Sequence, residues 1–241
     1  TVGSKWGYTY VADWDPDATI HEVKDHSLSA LRRQLGEPRA ELGNHLGLYQ
    51  IHSVTPDSPV LDDAAVTGAL NELRATGVRI GLTTSGPEQA NVIRRALELA
   101  VDGTLLFATV QATWNLLERS AGPALDEAHD AGLGVIVKEA LANGRLAGSD
   151  DRADAAHLGG WPPDAVALAA AASQPWADVV LSGAATVDQL RSNLQACQVM
   201  SDLDPRRRTP GPSAAIPATA SEPSAGAVGS RGSACERPAT H

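Results

Sequence analysis

Segments with the pattern of strands alternate strictly with segments that have the pattern of helices along this chain. Short apolar runs predict buried strands, and longer stretches with apolar residues every three or four positions predict helices. The predicted strands are residues 1–6, 46–53, 78–84, 105–112, 135–137 and 178–181. The predicted helices are residues 27–36, 62–77, 87–100, 123–131, 163–173 and 186–196. Such alternation indicates an α/β protein in which helices pack on the faces of a parallel sheet.

Two architectures share this alternation, the doubly wound open sheet and the TIM (β/α)8 barrel. No Gly-x-Gly-x-x-Gly sequence follows any predicted strand, so the dinucleotide fingerprint of the open sheet is missing. A (β/α)8 barrel from which two βα units are absent fits the six strands and six helices better. We therefore predict an incomplete barrel.

Two of the predicted strands end on side chains that can take part in chemistry. Lys5 lies at the end of the first strand, and His52 lies near the end of the second. In α/β barrels, the C-terminal ends of the strands carry the catalytic residues. Each side chain also has an ordinary explanation, as a surface or ion-paired lysine and as a buried histidine with satisfied hydrogen bonds. Their matching positions on successive strands favour a site that is formed by both.

Charge and composition argue against several classes of protein. The 241 residues carry a net charge of −10, which argues against nucleic acid as a partner because phosphate backbones require basic surfaces. No signal sequence and no apolar run of about 20 residues is found, so neither secretion nor a membrane span is expected. Cys197 and Cys235 are too few for a disulfide framework, which favours the reducing cytoplasm. No metal site is expected.

The character of the sequence changes after about Asp202. The remaining residues are rich in Ala, Ser, Gly and Pro and lack apolar periodicity. Such a segment buries too little apolar surface to offset the entropy lost on ordering. We therefore expect a barrel domain at residues 1–200 and a disordered, low-complexity tail at residues 201–241. Within the tail, the run Arg206-Arg207-Arg208 is expected to be solvated rather than bound to an anionic surface.

Five short motifs occur in order at the ends of the predicted strands. They are Gly3-Ser4-Lys5-Trp6-Gly7, Leu48-Tyr49-Gln50-Ile51-His52, Gly81-Leu82-Thr83-Thr84, Gln111 with Trp114-Asn115, and Ser182-Gly183-Ala184 with Gln189 and Asn193. From Thr1 to about Ala196, their order and spacing resemble the successive strand ends of the aldo/keto reductases. The resemblance implies a (β/α)8 barrel that reduces a small aldehyde or ketone to an alcohol. It also implies a nicotinamide cofactor, usually NADPH, with NADH possible.

Aldo/keto reductases use four catalytic residues, an aspartate, a tyrosine, a lysine and a histidine. Lys5 matches the lysine on the third strand of the barrel, and His52 matches the histidine on the fourth. An ammonium group near a phenol lowers the pKa of the phenol, which helps the phenol to protonate the alkoxide product. A neutral imidazole donates a hydrogen bond to the carbonyl oxygen and fixes its direction.

The resemblance also implies contacts to the nicotinamide. Thr83 and Thr84 occupy the place of a Ser-Asn pair that holds the carboxamide group, and Gln111 matches a glutamine that contacts the same group. Lys138 occupies the place of a tyrosine that stacks on the nicotinamide in many members.

Four further residues are implied at the phosphate and adenine end of the cofactor. They are Ser182, Gly183, Gln189 and Asn193. Gly183 and Ala184 replace a Lys-Ser pair that holds the 2′-phosphate in some branches of the family, and Gln189 replaces an arginine. The backbone amides that follow Gly183 offer a phosphate site at the start of the last helix.

Three local contacts are predicted around these residues. Thr186 and Gln189 have the spacing of a capping box, which satisfies backbone amides at a helix start. Glu139 is expected to form an ion pair with its neighbour Lys138. Trp114 is expected to pack in the core or to line a pocket.

The resemblance leaves parts of the family unmatched. Its first two βα units, which carry the aspartate and the tyrosine, are expected to precede Thr1, and Tyr8 lies too late in the order to be that tyrosine. The closing helix expected after Asn193 gives way to the tail. Two functions therefore stay open, an NADPH-dependent reductase seen as a fragment and a non-catalytic truncated member that at most binds NADP(H) or a partner protein. A third is an unrelated barrel such as an aldolase, with Lys5 or Lys138 as a Schiff base.

Overall fold

The strands and helices were located in a computed structural model, which describes residues 2–148 and 159–203. The strands are β1 (Val2–Trp6), β2 (Tyr8–Tyr10), β3 (Glu22–Lys24), β4 (Leu46–Val54), β5 (Arg79–Thr84), β6 (Ala100–Val101), β7 (Thr104–Leu105), β8 (Thr109–Thr113), β9 (Gly134–Lys138) and β10 (Val179–Val180). The helices are α1 (Leu28–Leu42), α2 (Ala64–Ala75), α3 (Gln89–Leu97), α4 (Gly122–Asp130), α5 (Pro163–Ala172), α6 (Val187–Leu194) and α7 (Ala196–Leu203), with 3₁₀ turns at Gly43–His45 and Pro59–Leu61. Within the described ranges, no helix is long and apolar enough to cross a membrane.

Six strands form one parallel sheet in the order β1, β4, β5, β8, β9 and β10. A helix lies between each of these strands and the next along the chain. The sheet curls into half of a barrel. The predicted α/β class and parallel sheet are therefore confirmed, whereas closure into a full barrel by two further units stays a prediction.

The register of the sheet separates a polar face from an apolar face. Lys5 pairs with Gln50, Gln50 with Gly81, and Gly81 with Thr109. Because side chains alternate between the two faces of a strand, these residues share the face opposite the helices. The residues that follow Gln50, Gly81 and Thr109 point toward the helices and are fully buried: Ile51, Leu82 and Val110. The core therefore lies between sheet and helices.

Helix α2 illustrates why the helices form where they do. Asp63 caps its start, because the Asp63 carboxylate accepts hydrogen bonds from the backbone N–H groups of Ala65 and Val66 at 2.9 and 3.1 Å. Val66, Leu70 and Leu73 repeat at helical spacing and are all buried. The predicted apolar stripe is thus the face that packs on the sheet.

Helix α1 is longer than predicted. The end predicted at Gly36 was wrong, since the helix continues through Pro38 to Leu42. A glycine inside a helix costs only about 1 kcal/mol, and Leu42 packs against the core beyond it. The helix ends at Gly43, whose φ of 49° is a left-handed conformation that glycine adopts readily.

A small hairpin was missed between α3 and β8. Strands β6 and β7 pair antiparallel around Asp102-Gly103, whose φ angles are 52° and 75°. Asp-Gly is a favoured sequence for two-residue hairpin turns with positive φ. The helix predicted at 87–100 therefore ends early, and the strand predicted at 105–112 begins late.

A second hairpin follows β1, in residues 8–24, where no strand was predicted. Strand β2 pairs antiparallel with β3, so that Tyr8 lies opposite Lys24 and Tyr10 opposite Glu22. The alternation in Tyr8-Thr9-Tyr10 is a strand pattern, but it is too short to be distinguished from a loop by periodicity.

The chain continues as a helix after α6. Helix α7 follows almost directly and buries Val199 in the core, so the expected absence of a helix after Asn193 was wrong. It also crosses the domain boundary predicted at residue 200. Residues 149–158 and the predicted tail from residue 204 on, with its three arginines and Cys235, lie outside the described residues.

Trp114 packs in the core, which is one of the two roles predicted for it. Its ring lies edge-on against Trp176 with 5.6 Å between ring centroids. Both side chains are buried. This contact joins the end of β8 to the segment after α5.

We expect Gly81→Ala to destabilise the protein. A Cβ at this position would lie 2.2 Å from Thr109 Oγ1 and 3.2 Å from the Thr109 carbonyl oxygen. Overpacking of this kind costs about 1–3 kcal/mol. Urea unfolding should show a lower midpoint.

The matched control is Gly68→Ala, at an exposed position of α2 with no atom within 4 Å of the added Cβ. This change should raise stability by up to about 1 kcal/mol because alanine favours the helix. Equal midpoints for the two variants would contradict the register.

Candidate active site

The predicted site residues lie in one row along the C-terminal ends of the parallel strands. In sheet order, the row is Lys5 on β1, His52 on β4, Thr83 on β5, Gln111 on β8, Lys138 on β9 and Ser182 after β10. Parallel pairing brings these ends to one rim of the sheet. The row joins the Lys5 and His52 region at one edge to a cleft after β9 and β10 at the other.

Lys5 and His52 share one face and one electrostatic environment. Lys5 pairs with Gln50, two residues before His52 on the same face of β4. Burial lowers the pKa of His52 and the Lys5 ammonium lowers it further; Glu22 raises the His52 pKa, and Lys138 lowers it. Burial and the Lys138 charge also lower the pKa of Lys5. His52 is therefore mainly neutral at pH 7.

The β2–β3 hairpin supports His52. The Tyr8 ring lies edge-on against the His52 ring, with 4.9 Å between centroids. Nε2 of His26 lies 2.8 Å from the His52 carbonyl oxygen, and the Lys24 ammonium donates to the Ser53 carbonyl oxygen at 2.9 Å. These contacts hold the end of β4. These contacts could not be predicted, because no strand was predicted in the segment that forms the hairpin.

A cavity of about 610 Å³ lies between β1, the β2–β3 hairpin and α1. Lys5 and Tyr8 line it together with Arg33, Glu37 and Glu41. Strand β1 is at the edge of the described sheet. Lys5 is therefore accessible from that edge, whereas His52 is half-buried.

Thr83 and Thr84 point to opposite faces of β5. The Thr83 hydroxyl accepts a hydrogen bond from the backbone N–H of Ser53 at 2.7 Å. This bond steadies Ser53, whose φ of 55° is unusual for a residue other than glycine. The Thr84 hydroxyl instead donates to Gln89 Oε1 at 3.2 Å on the helix side. That geometry argues against the predicted contact of Thr84 with a cofactor.

Gln111 lies at the centre of the row. It pairs with Thr83 on one side and with Ile136 on the other. It shares the polar face with Thr109, two residues earlier on β8, and is buried. Its side-chain amide therefore belongs to the inner face of the half-barrel.

The cleft has a volume of about 470 Å³. Its walls are the end of β9 and the loop that follows, the turn after β10, helix α6 and Asp164 in the first turn of α5. Five predicted site residues line it: Lys138, Ser182, Gly183, Gln189 and Asn193. Asp164 was not predicted as a site residue, because an acidic residue in the first turn of a helix is common and gives no signal of a ligand site.

The side chains of Gln189 and Asn193 are engaged within the chain. Gln189 Oε1 accepts hydrogen bonds from the backbone N–H groups of Ala185 and Thr186 at 2.8 and 3.2 Å, which confirms the capping box. Asn193 Nδ2 donates to the Ser182 carbonyl oxygen at 3.1 Å. The Ala185 and Thr186 amides are therefore not free for the phosphate predicted there.

The loop after β9 has an unusual backbone. Three residues other than glycine have left-handed φ angles, Glu139 at 56°, Ala142 at 50° and Asn143 at 54°, and Gly144 follows at 87°. Such conformations concentrate at ligand sites, where the surrounding structure offsets their cost. Only Gly144 could have signalled this from the sequence. The predicted ion pair is confirmed, with 2.8 Å between Lys138 Nζ and Glu139 Oε1.

The chain is similar to one protein family over most of its length. A family model described as the Aldo/keto reductase family matches residues 2–205. The match includes every residue of the row at the rim of the sheet. No curated protein matches this chain.

Solved structures share the fold at low sequence identity. An aldo-keto reductase from Pseudomonas aeruginosa is 22% identical with a TM-score of 0.58, over 82% of this chain and 66% of that chain. The holo form of an aldo-keto reductase from Bacillus halodurans is 20% identical with a TM-score of 0.59, over 81% and 66%. A glycerol dehydrogenase from Gluconobacter oxydans is 19% identical with a TM-score of 0.58, over 86% and 74%. The chain thus spans 66% of the length of the first two.

We expect Lys5→Met to raise the pKa of His52. His52 titrates below its ordinary value of 6.5 because burial and the Lys5 charge disfavour the imidazolium. Methionine keeps the length of the side chain and removes the charge. Titration of the histidine ring protons by NMR measures the shift, with His52→Gln to assign the resonance.

The matched control is Arg191→Met, which removes a cation from exposed α6 on the far side of the sheet. The His52 pKa should stay unchanged in this variant. A His52 pKa that is unaltered or lower in Lys5→Met would show that the two groups are not coupled.

Proposed function

The chain belongs to the aldo/keto reductase family, and we propose that it reduces an aldehyde or ketone to an alcohol with a nicotinamide dinucleotide as cofactor. The observation that carries the proposal is the row of strand ends. It joins Lys5 and His52, which are coupled through their charges, to a cleft of about 470 Å³.

The rim fits a dinucleotide in size and in backbone geometry. Ligand and cofactor sites commonly have volumes of about 300–1,000 Å³, and this cleft lies within that range. Gly144 and Gly183 both line it in left-handed conformations, and a Cβ on either would meet no atom within 4 Å. Phosphate groups can therefore approach the backbone closely at both glycines. At Gly144, in the loop after β9, the exposed backbone can face a phosphate. This surface does not depend on the Ala185 and Thr186 amides, which are engaged in the capping box.

The expected contacts lie at three parts of the cofactor, the nicotinamide, the phosphates and the adenine. We propose that Gln111 and Thr83 contact the nicotinamide end, with Lys138 beside them, and that Ser182 and Gly183 contact the phosphate end. The resemblance implies Gln189 and Asn193 at the adenine end. Their engaged side chains favour a role in shaping that wall of the cleft.

The chemistry follows from the environment of the two catalytic candidates. The bound dinucleotide supplies a hydride to the carbonyl carbon. Neutral His52 donates a hydrogen bond to the carbonyl oxygen and orients it. The Lys5 ammonium would stabilise the negative charge that develops on that oxygen. The resemblance implies that the proton which completes the alcohol would come from the family's tyrosine, in a unit that precedes the lysine. Tyr8 packs edge-on against the His52 ring, so it is suited to holding that ring in place.

A second candidate function is dinucleotide binding without turnover. The chain spans 66% of the length of the first two solved structures that it matches. In the family, the aspartate and the tyrosine come from units that precede the lysine. Binding and turnover must therefore be measured separately.

We expect that titration with NADH or NADPH quenches the tryptophan fluorescence of the purified chain. Energy transfer from the tryptophans should at the same time increase the emission of the bound nicotinamide. Aldehyde reduction should then be lost by about 10²–10⁴-fold in Lys5→Met and in His52→Ala, as for other positioned acid–base groups. Dinucleotide affinity should change little in both, because the cleft lies at the other end of the row.

The matched control is His45→Ala, an exposed histidine in the turn before β4, at the opposite end of the same strand. Its activity should equal that of the parent. Saturable binding without any turnover would favour the second candidate function. No binding up to millimolar dinucleotide would refute both.

A further inference from the structure

The cleft carries one uncompensated charge, and it is negative. Its charged lining residues within the described chain are Lys138, Glu139 and Asp164. Lys138 and Glu139 neutralise each other in an ion pair with 2.8 Å between Nζ and Oε1. Asp164 has no cationic partner within the described ranges and lies on the α6 side of the cleft.

Asp164 is a buried carboxylate with hydrogen-bonding capacity to spare. It is 8% exposed, and its Oδ1 accepts hydrogen bonds from the Ser192 hydroxyl and the Ala165 N–H, each at 2.9 Å. Its Oδ2 accepts none from the part of the chain that the structure describes. A carboxylate oxygen of this kind suits a hydroxyl donor and repels an anion.

Two arginines on the described elements around the cleft, Arg145 and Arg191, are directed elsewhere. Nε of Arg145 donates to the Ala142 carbonyl oxygen at 3.1 Å, and the Arg145 side chain does not line the cleft. Arg191 pairs with Asp188 at 2.9 Å on the exposed side of α6. Neither guanidinium offsets the charge of Asp164 inside the cleft.

The backbone amides at the start of α6 do not offset the charge of Asp164 either. The Ala185 and Thr186 amides donate to Gln189, and the Gln189 amide donates to Thr186. Three donors that could receive a phosphate are thus used by the capping box.

A 2′-phosphate carries a charge of about −1.5 to −2 near pH 7, whereas a ribose diol is neutral and donates hydrogen bonds. In the dinucleotide sites of doubly wound folds, an acidic residue binds the ribose 2′-hydroxyl of NAD and an arginine accommodates the 2′-phosphate of NADP. The same charge rule applies to a buried carboxylate in any cleft, since like charges repel. We propose, as an extension of the proposed function, that this cleft selects NADH over NADPH and that Asp164 discriminates between them. The residue acts on the adenosine ribose and takes no part in hydride transfer.

The test is a pair of titrations of the full chain, with NADH and with NADPH, followed by energy transfer from tryptophan to the nicotinamide. The dissociation constant for NADPH should exceed that for NADH by about tenfold or more. In Asp164→Asn, which removes the charge but keeps an oxygen for Ser192, the ratio should fall below about threefold.

Two further variants separate charge from folding. Ala184→Lys adds a cation to the turn that lines the cleft and leaves Asp164 intact, so it should tighten NADPH binding relative to NADH. Asp188→Asn removes a carboxylate whose side chain is 91% exposed. Because an exposed charge is screened by solvent, this control should leave the ratio unchanged.

The outcomes distinguish this inference from the proposed function. Failure of both dinucleotides to bind would remove the proposed function itself. Binding of NADPH as tight as NADH, or tighter, would overturn the selection and leave the proposed function standing. A preference for NADH that persists unchanged in both Asp164→Asn and Ala184→Lys would overturn the role of Asp164.

Discussion

The parallel pairing of β1 with β4 is the interaction on which the rest of the site depends. It sets Lys5 beside Gln50, and alternation along β4 then brings His52 to the same face. A slip of one residue would turn Lys5 toward the helices and place Trp6, which is buried among them, on the polar face. The burial of Trp6 and Ile51 against the helices therefore fixes the register, and the register fixes the site.

Charge links the two ends of the row. The Lys138 ammonium lowers the pKa of both Lys5 and His52, although Lys138 lies at the wall of the cleft. Its ion pair with Glu139 reduces that effect. A ligand that changed this ion pair would alter the protonation of His52. The wall of the cleft and the Lys5–His52 end of the row are thus coupled through charge.

Periodicity predicted the parallel sheet and six of the seven described helices, because apolar spacing reports directly on which faces are buried. It did not predict the two hairpins. In Tyr8-Thr9-Tyr10 the alternation is too short to identify a strand. The turn at Asp102-Gly103 falls in the short connection between the predicted helix at 87–100 and the predicted strand at 105–112, and the two-residue strands beside it carry no periodicity. The end of α1 was missed because packing of Leu42 outweighs the cost of Gly36.

The residues of the candidate site could be predicted, but the directions of several side chains could not. Strand position located Thr83 and Thr84, whereas only the structure shows that Thr84 bonds Gln89 on the helix side. The capping box at Gln189 was visible as a spacing. Asp164 became visible only when folding brought α5 beside α6. Contacts between distant segments carry no local signal in sequence.

The central claim is that the rim from Thr83 to Gly183 forms one dinucleotide site, whose nicotinamide end lies beside His52. Hydrogen–deuterium exchange of the full chain, with and without saturating NADH, tests it most directly. The account predicts slower exchange in the loop after β9, in the turn after β10 and at the ends of β4 and β8, with α1 and α2 unchanged. Exchange rates that are the same with and without NADH would contradict the account. Protection confined to the β2–β3 hairpin and α1 would contradict it as well.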